Sequence, residues 1–308
     1  MPLPRFVAQT LRNRPKTLLR WLILATVLMF LLKTLIDHWQ EVASLRLSAA
    51  SVASLAIGIG MTLLAHTFAG VVWAWILRDL NHPVSFVWSI RTHLKTNIAK
   101  YLPGNVWHFY GRVTAAKQLG VPIGAATLSV MLEPLLMVAA ACILAAVGAP
   151  QYSILGVPIA LVQGFVVVAI VALVHPRVLN LVLRQLGKLK QTSPLQIRRY
   201  PLRPLIGEVG FLGLRSLGFV FTVLAVRSIQ FSDLPTIIGA FALAWLIGFV
   251  LPGLPGGVGV FEAVIIALLG QQFTGAQVLA TVALYRLINT IAEGMGAVLA
   301  VLDEKRSL

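Results

Sequence analysis

Two glycine- and proline-containing breaks interrupt apolar sequence, and an arginine and a glutamate follow each of them. The first break, at 102–104, precedes Arg112 and Glu133, and the second, at 251–253, precedes Glu262 and Arg286. An ionisable side chain near the middle of a bilayer costs about 2.5–3.5 kcal/mol, which marks it as a functional residue by default. A Pro-Gly break also frees backbone polar groups that lipid cannot satisfy. Together these features predict a polar cavity inside a bundle of membrane helices.

Polar residues on both sides of the first break form a candidate anion site. Those before the break share one helical face, and so do those after it: His93, Asn97 and Lys100, then Asn105, His108 and Arg112. A helix that begins at Gly104 would present free N–H groups and partial positive charge, which favour an anion such as phosphate. Lys100 and Arg112 would add full charges, and arginine can bind phosphate with two parallel hydrogen bonds. The alternative is a cytoplasmic amphipathic segment whose basic residues contact lipid headgroups.

The second break is richer in glycine, and residues 250–262 read VLPGLPGGVGVFE. In a membrane such backbone is tolerated where it is buried or lines water. We predict that Gly256, Gly257, Gly259 and Glu262 line the cavity opposite the first break. The segment is not a soluble phosphate-binding loop, because the GxGxxG spacing is missing. A plain flexible connector is the remaining alternative.

Further deep charges lie on the long apolar runs. Arg286, Asn289 and Glu293 are spaced i, i+3 and i+7, so they form one polar stripe on a helix. Glu133 lies roughly 15 Å into its run at 1.5 Å per residue. Among the ionisable residues predicted to lie deep in the membrane, four cations balance four carboxylates: Lys100, Arg112, Arg215 and Arg286, with Glu133, Glu208, Glu262 and Glu293. These charges are predicted to pair inside the bundle, as structural ion pairs, as a binding site or as proton-coupling carboxylates.

The composition is that of an integral membrane protein. Of 308 residues 58% are hydrophobic and 11% are charged, the mean hydropathy is +0.88, and soluble domains carry about 25% charged residues. The net charge of +15 is concentrated in two stretches without acids, 5–20 and 177–203, which flank apolar runs. This pattern indicates the cytoplasmic side of a membrane rather than nucleic-acid binding. His66 and the single Cys142 are predicted to be core residues.

Motifs of enzymes and metal sites are missing. The sequence contains no HExxH, GxSxG or Walker A pattern, and no cluster of His, Cys and Asp residues with metal-ligand spacing. All four aspartates lie in connectors or in the tail. We therefore expect no enzymatic activity, no bound metal and no cofactor.

The apolar pattern predicts an all-α polytopic membrane protein. Runs of about 20 residues can span roughly 30 Å of hydrocarbon, and six are predicted to do so: 18–36, 50–77, 123–149, 154–174, 205–226 and 276–301. Two broken regions, 84–119 and 234–270, are predicted as re-entrant hairpins, because the second arm of the latter (258–270) is too short to span. An ordinary eight-span arrangement gives the same terminal orientations and stays open.

With the hairpins in place, units 84–149 and 234–301 have opposite orientations and form an inverted-topology repeat. Transporters use such repeats to build a site near the bilayer midplane from broken helices. The predicted organisation is a basic cytoplasmic N-terminus (1–17), one transmembrane domain (18–301) with a basic cytoplasmic loop (175–204), and a cytoplasmic tail (302–308).

At NIAKYLPGNVWHFYGR and LPGLPGGVGVFE the chain resembles a known family. It is similar to bacterial membrane proteins grouped with the transmembrane, flippase-like region of lysylphosphatidylglycerol synthase, and the resemblance covers residues 15–301. In the two-domain synthase this region is associated with moving the aminoacylated lipid across the bilayer, and a separate soluble domain makes that lipid. Because 308 residues leave no room for such a domain, the resemblance implies translocation without synthesis.

Three functions follow as hypotheses. The first is a flippase of the bacterial inner membrane that moves a phosphate-bearing lipid or lipid-linked intermediate between leaflets. The second is a proton-coupled secondary transporter of a small anion, and the third is a non-transporting partner of a lipid-synthesis enzyme. The expected partners are membrane lipids, including anionic headgroups at the cytoplasmic face, with a lipid-synthesis enzyme as a further candidate and no nucleic acid.

Overall fold

The structure is a computed structural model, and it describes residues 48–102, 106–148, 153–154, 157–178, 180–181, 197, 200–250, 260–270 and 272–306. The predicted N-terminal region with its first span (18–36) lies outside these residues, as do the centres of both breaks and most of the loop 175–204.

The described chain is mainly helical, with turns between the helices and one short β-hairpin. Its helices are α1 (Ala49–Asp79), α2 (Phe86–Asn97), α3 (Trp107–Gln118), α4 (Ile123–Val147), α5 (Ile159–Leu173), α6 (Leu202–Val226), α7 (Leu234–Val250), α8 (Val260–Leu269) and α9 (Gly275–Arg306). Short 3₁₀ helices follow α2 at Ile98–Tyr101 and precede α7 at Phe231–Asp233. The two-residue strands β1 (Ser153–Ile154) and β2 (Val157–Pro158) pair antiparallel. Helix is the state that apolar sequence adopts in lipid, because each segment then satisfies its own backbone groups.

Five of the described helices are long and apolar enough to cross a membrane. Four of them, α1, α4, α6 and α9, confirm predicted apolar runs in length and composition. The fifth consists of α7 together with its preceding 3₁₀ helix, Phe231–Val250.

Helix α5 is shorter than the predicted span 154–174. The chain forms β1 and β2 first, and the helix begins only at Ile159. Pro158 explains this start, because the residue before a proline is kept out of the α-helical region. With 15 residues, α5 is about 22 Å long, which is less than the roughly 30 Å of a hydrocarbon core.

Glycines allow α1 and α6 to pack closely along one another. A Cβ atom added at Gly218 would lie 2.5 Å from the hydroxyl oxygen of Thr62, and one added at Gly207 would lie 2.7 Å from Cγ2 of Val72. Small residues are the usual means of close helix association in lipid, where burial of apolar side chains gives little driving force. The packing of these two helices brings His66 of α1 toward the polar residues described below.

Helices α2 and α3 form a hairpin around the first break. Each has 12 residues, or about 18 Å, so neither crosses the hydrocarbon alone. A Cβ atom added at Gly111 would lie 2.9 Å from Cγ2 of Thr96, while His93 and Arg112 both contact Glu133. The two helices therefore pack against each other at Gly111 and Thr96 and share a contact with Glu133.

The second broken region has arms of unequal length. Its first arm, α7, is long enough to cross with its 3₁₀ helix, whereas α8 has 10 residues and is about 15 Å long. The short second arm agrees with the expectation for 258–270. The re-entrant insertion of either region and the inverted repeat remain predictions.

Four aromatic rings connect α6, α7, α8 and α9 in the core. Phe219, Phe241, Phe261 and Tyr285 contribute one ring each, and their centroids lie 5.2 to 6.2 Å apart. Most of the pairs meet edge to face, which is a favourable geometry for aromatic quadrupoles. This group fixes the position of Tyr285, whose hydroxyl belongs to the polar site.

Candidate functional site

Glu133 on α4 holds together residues from the first hairpin. Its Oε1 atom lies 3.2 Å from Nε2 of His93 on α2, and its Oε2 atom accepts a hydrogen bond from Nη1 of Arg112 on α3. All three residues are buried; the side chains of Arg112 and Glu133 are only 4% and 3% exposed. We call His93, Arg112 and Glu133 the Arg112 cluster.

Several buried polar atoms near the Arg112 cluster lack a hydrogen-bond partner in the described part of the chain. They are Nδ1 of His93, Nδ1 of His108, Nε of Arg112 and both carboxyl oxygens of Glu208. His108 and Glu208 are each within electrostatic reach of Arg112 and Glu133. Buried polar groups in proteins are nearly always satisfied by protein or by ordered water. Their concentration here indicates a place where water or a polar ligand can bind.

Glu293 on α9 is the centre of a second group. Its Oε1 atom lies 2.5 Å from Nζ of Lys100 and 3.2 Å from Nε2 of His66, and it accepts a hydrogen bond of 2.8 Å from Nδ2 of Asn289. The hydroxyl of Tyr101 donates to Oε2 at 2.8 Å. We call these five residues the Glu293 cluster. It joins α1, the 3₁₀ helix at Ile98–Tyr101 and α9.

Arg215 on α6 extends the Glu293 cluster toward the aromatic group. Its Nε and Nη2 atoms donate to the hydroxyl of Tyr285 at 3.2 and 3.1 Å, and Nη2 also donates to Oδ1 of Asn289 at 2.8 Å. In the described part of the chain Arg215 has no carboxylate within salt-bridge distance. Its positive charge is instead held by a hydroxyl and an amide oxygen.

The second break has its own ion pair. Nε of Arg286 on α9 donates to Oε1 of Glu262 near the start of α8. Both side chains are about one-tenth exposed, at 11% and 12%, and the guanidinium group of Arg286 lies 5.8 Å from the ring centroid of Phe261. In each predicted repeat unit (84–149 and 234–301), therefore, the short helix after the break forms an ion pair with the long helix that follows it. The short helix carries the arginine in the first unit and the glutamate in the second.

The Arg112 and Glu293 clusters adjoin one another. Lys100 interacts electrostatically with Arg112, and His66 with His93. The two basic residues that flank the first break therefore lie in one interior polar region, but each is held by a carboxylate from a different long helix.

The expected pairing of the deep charges is found for three cations. Lys100, Arg112 and Arg286 contact Glu293, Glu133 and Glu262, respectively. The expectation fails for the fourth pair, because Arg215 and Glu208 do not contact each other. They lie seven residues apart on α6 and meet different neighbours, so that equal numbers of opposite charges do not produce four pairs.

Other predicted residues are placed as follows. Asn97 and His108 are buried beside the first break, and Asn289 belongs to the Glu293 cluster. His93 and Lys100, expected on one helical face with Asn97, belong to different clusters, because the helix tightens to 3₁₀ geometry at Ile98 and rotates Lys100. Gly104, Asn105, Gly256, Gly257 and Gly259 lie outside the described residues. A role in binding stays a prediction for the whole set.

Sequence reasoning missed Tyr101 and Tyr285 and left His66 as a plain core residue. His66 is buried, as expected, but it contacts Glu293 and Asn289. Tyr285 directly precedes Arg286 in an apolar helix, and Tyr101 directly follows Lys100, so the one available signal was proximity to a charged residue. In the described residues no group of three or more His, Cys, Asp or Glu side chains has an arrangement that could hold a metal ion.

These features define a helical membrane protein with interior ion pairs between short and long helices. The chain belongs to the family described as the lysylphosphatidylglycerol synthase TM region, whose model matches residues 17–293. This match confirms the resemblance seen in the two break motifs. The comparison with curated proteins gave no match.

Proposed function

We propose that the protein is a flippase that moves a phosphate-bearing lipid or lipid-linked intermediate between the leaflets of the bacterial inner membrane. The observation that carries the proposal is the placement of Lys100 and Arg112. They flank the first break, they lie in the interior of the bundle, and each is neutralised by a carboxylate from another helix. A transporter of anionic headgroups needs such cations within reach of a ligand.

The carboxylates of Glu133 and Glu293 occupy the positions that a phosphate would take. Arginine can bind a carboxylate or a phosphate through the same guanidinium donors. A headgroup that enters the cavity can therefore replace a carboxylate without leaving the cation unpaired, which would be strongly unfavourable in a buried site. Lys100 is the more accessible of the two cations, since its side chain is 23% exposed, and it is the first contact expected for the headgroup.

Two exposed ion pairs support the proposed direction of the first hairpin. They join α2 to the C-terminal end of α9: Arg91–Asp303 at 2.6 Å and Lys95–Glu304 at 2.8 Å. Ten residues before Asp303, or about 15 Å deeper, Glu293 contacts Lys100. The hairpin thus enters from the side of the tail, which the charge pattern assigns to the cytoplasm.

A contact at the opposite end of the bundle supports the reversed direction of the second hairpin. Nη1 of Arg227, just after α6, donates to the backbone oxygen of Gln272 between α8 and α9. Helix α6 starts beside the basic loop 175–204, so this contact lies on the outer side in our assignment. The pair Glu262–Arg286 lies deeper than Gln272, and we assign it to the wall that faces the first break, where its opening would gate the cavity.

The proposal includes further assignments that follow from the charge pattern and from the missing enzyme and metal motifs. The protein resides in the inner membrane with both termini in the cytoplasm, and its basic loop contacts anionic headgroups there. It acts as a transporter, not as an enzyme, and it requires no cofactor.

Reconstitution tests the flippase. Liposomes with tail-labelled phospholipids of different headgroups receive wild type, Arg112→Ala or Glu262→Gln, and a membrane-impermeant quencher reports the outer-leaflet fraction over time. We expect wild type to equilibrate a phosphate-bearing lipid faster than empty liposomes, and Arg112→Ala to slow this at least about tenfold, equivalent to about 1.4 kcal/mol in the barrier. Arg91→Ala, which removes a partly exposed arginine of α2 that pairs with Asp303 outside both clusters, is the matched control and should behave as wild type.

Equal rates for wild type and Arg112→Ala would remove Arg112 from the site. If no headgroup moves faster than in empty liposomes, the flippase proposal fails. Uptake of a labelled small anion into the same vesicles would then support the secondary transporter, and silent transport together with co-purification of a lipid-synthesis enzyme would support the partner protein.

A further inference from the structure

Glu208 is a carboxyl group that the proposed site does not use. It lies on α6, where it is 0% exposed, and neither of its oxygens has a hydrogen-bond partner in the described part of the chain. An ionised carboxylate without a partner is very unfavourable in a low-dielectric interior, and buried charges are normally paired. Glu208 therefore requires either a bound cation or a bound proton.

The ionisable groups around Glu208 narrow this choice. Helix α6 packs against α1, α4, α7 and α9, and in the described residues only Glu133 of α4 and Arg112 interact electrostatically with Glu208. The other ionisable residues in the interior have contacts elsewhere: His66 and Lys100 with Glu293, Arg215 of α6 itself with Tyr285, and Arg286 with Glu262. At the end of α1, Arg78 contacts the ring of Phe86, and α7 carries no ionisable residue.

Charge balance then favours a proton. Arg112 supplies one positive charge to two carboxyl groups, Glu133 and Glu208, so a single proton makes the three residues neutral. Placed on His93, the proton would give Glu133 a second cation and leave Glu208 ionised and isolated. On Glu208, the same proton removes the isolated charge. No metal-binding group of three or more side chains is present there in the described residues.

We propose that Glu208 is a proton-binding site coupled to the anion site at Arg112. While Arg112 is paired with Glu133, Glu208 carries a proton. A phosphate headgroup that takes Arg112 away from Glu133 leaves the Glu133 carboxylate without a cation. Glu133 then binds a second proton. This second step rests on the proposed flippase function, whereas the proton on Glu208 does not. The headgroup and its proton would cross together without net movement of charge.

Infrared spectroscopy of the purified protein at neutral pH tests the proton directly. Wild type, labelled with ¹³C-carboxyl glutamate, should show a carbonyl band of a protonated carboxyl group that shifts with the label. The band should be lost in Glu208→Gln and retained in Glu304→Gln, which makes the same change at an exposed glutamate of α9. Should Glu208→Gln fail to fold, Glu208→Asp replaces it, and its band should no longer respond to labelled glutamate.

The infrared outcomes are decisive for the proton. A labelled wild type without a protonated glutamate band would overturn the proposal, and so would a band that persists in Glu208→Gln or still responds to labelled glutamate in Glu208→Asp. None of these three results depends on transport.

Liposomes with a pH difference test the coupling. If one proton moves with each phosphatidylglycerol headgroup, a difference of about one pH unit should shift the steady-state leaflet ratio up to about tenfold. A proton–potassium exchanger should remove the shift. We expect it to persist in Glu208→Gln, where Glu133 still binds the second proton, and in the exposed control Glu304→Gln. It should be lost in the double variant Glu133→Gln with Glu208→Gln, which has no carboxyl group left beside Arg112 to bind that proton. Lipid that moves without any shift overturns the coupling, and lipid that does not move at all overturns both the coupling and the flippase, while the infrared result stands by itself.

Discussion

At the residue scale, the buried ion pairs serve either the fold or a ligand, and the contacts alone are compatible with both roles. A buried pair adds little net stability, because desolvation offsets the attraction between the charges, but removing one partner is strongly destabilising. A single substitution at Arg112 would therefore lower stability whatever its role. Separating the two roles requires a variant that restores stability without restoring charge.

Replacement of the whole pair provides this separation. We expect Arg112→Ala alone to lower the free energy of unfolding by about 3–5 kcal/mol, because Glu133 loses its cation. The double variant Arg112→Met with Glu133→Leu should recover most of this loss, since apolar residues of similar volume are tolerated at buried pairs. Thermal unfolding in detergent measures the stability, and the liposome assay measures transport.

The double variant should still move lipid at least about tenfold more slowly than wild type, because Lys100 is then the one cation left beside the first break to bind the headgroup. A stable double variant that moves lipid at the wild-type rate would show that Arg112 and Glu133 form a structural ion pair.

At the element scale, the positions of the buried polar residues depend on how closely the helices that carry them pack against one another. Helices α1 and α6 carry His66, Glu208 and Arg215, and glycine positions set their separation. An added side chain at Gly218 meets Thr62 at 2.5 Å, whereas nothing lies within 4 Å of a Cβ atom at Gly213 on the same helix. The two glycines therefore form a matched pair for testing the contact.

We expect Gly218→Val to destabilise the protein by about 1–3 kcal/mol, because the added side chain would overpack a closed interface. Gly213→Val makes the same chemical change at an open position of α6 and should have a much smaller effect. Thermal unfolding of both variants in the same detergent measures the difference. Equal losses would show that the cost comes from helix propensity and not from the α1–α6 contact.

At the scale of the whole molecule, the proposed site depends on two hairpins that enter from opposite sides. The contacts Lys95–Glu304 and Arg227–Gln272 mark the two ends of the bundle. Because Gln272 and the tail are connected by the 32 residues of α9, about 48 Å of helix, they should lie on opposite faces of the membrane.

Cysteine accessibility checks this arrangement. Lys305→Cys should react with a membrane-impermeant maleimide in inverted vesicles but not in intact spheroplasts, and Gln272→Cys should show the reverse. Wild type provides the background, because its single cysteine, Cys142, is 1% exposed. Labelling of both positions from the same side would contradict the opposed hairpins and the cytoplasmic tail.

The sequence by itself determined the class of protein, most of its described spans and the family. These properties follow from local composition, because a run of apolar residues must form a helix in lipid whatever surrounds it. The two break motifs and the charges after them were also visible, as were the short helix α8 and the balance of deep charges.

Only the tertiary structure decided which charges meet. Helical periodicity places residues on a face, but it does not say which helix lies opposite: Lys100 and Glu293 are 193 residues apart, and His66 and Asn289 are 223 apart. For the same reason Glu208 and Arg215 look like a balanced pair in the sequence and have separate surroundings in the bundle. The partners of Arg215 are a tyrosine hydroxyl and an amide, while Glu208 has no partner among the described residues. Pairing in an interior depends on the packing of whole helices, which no single segment encodes.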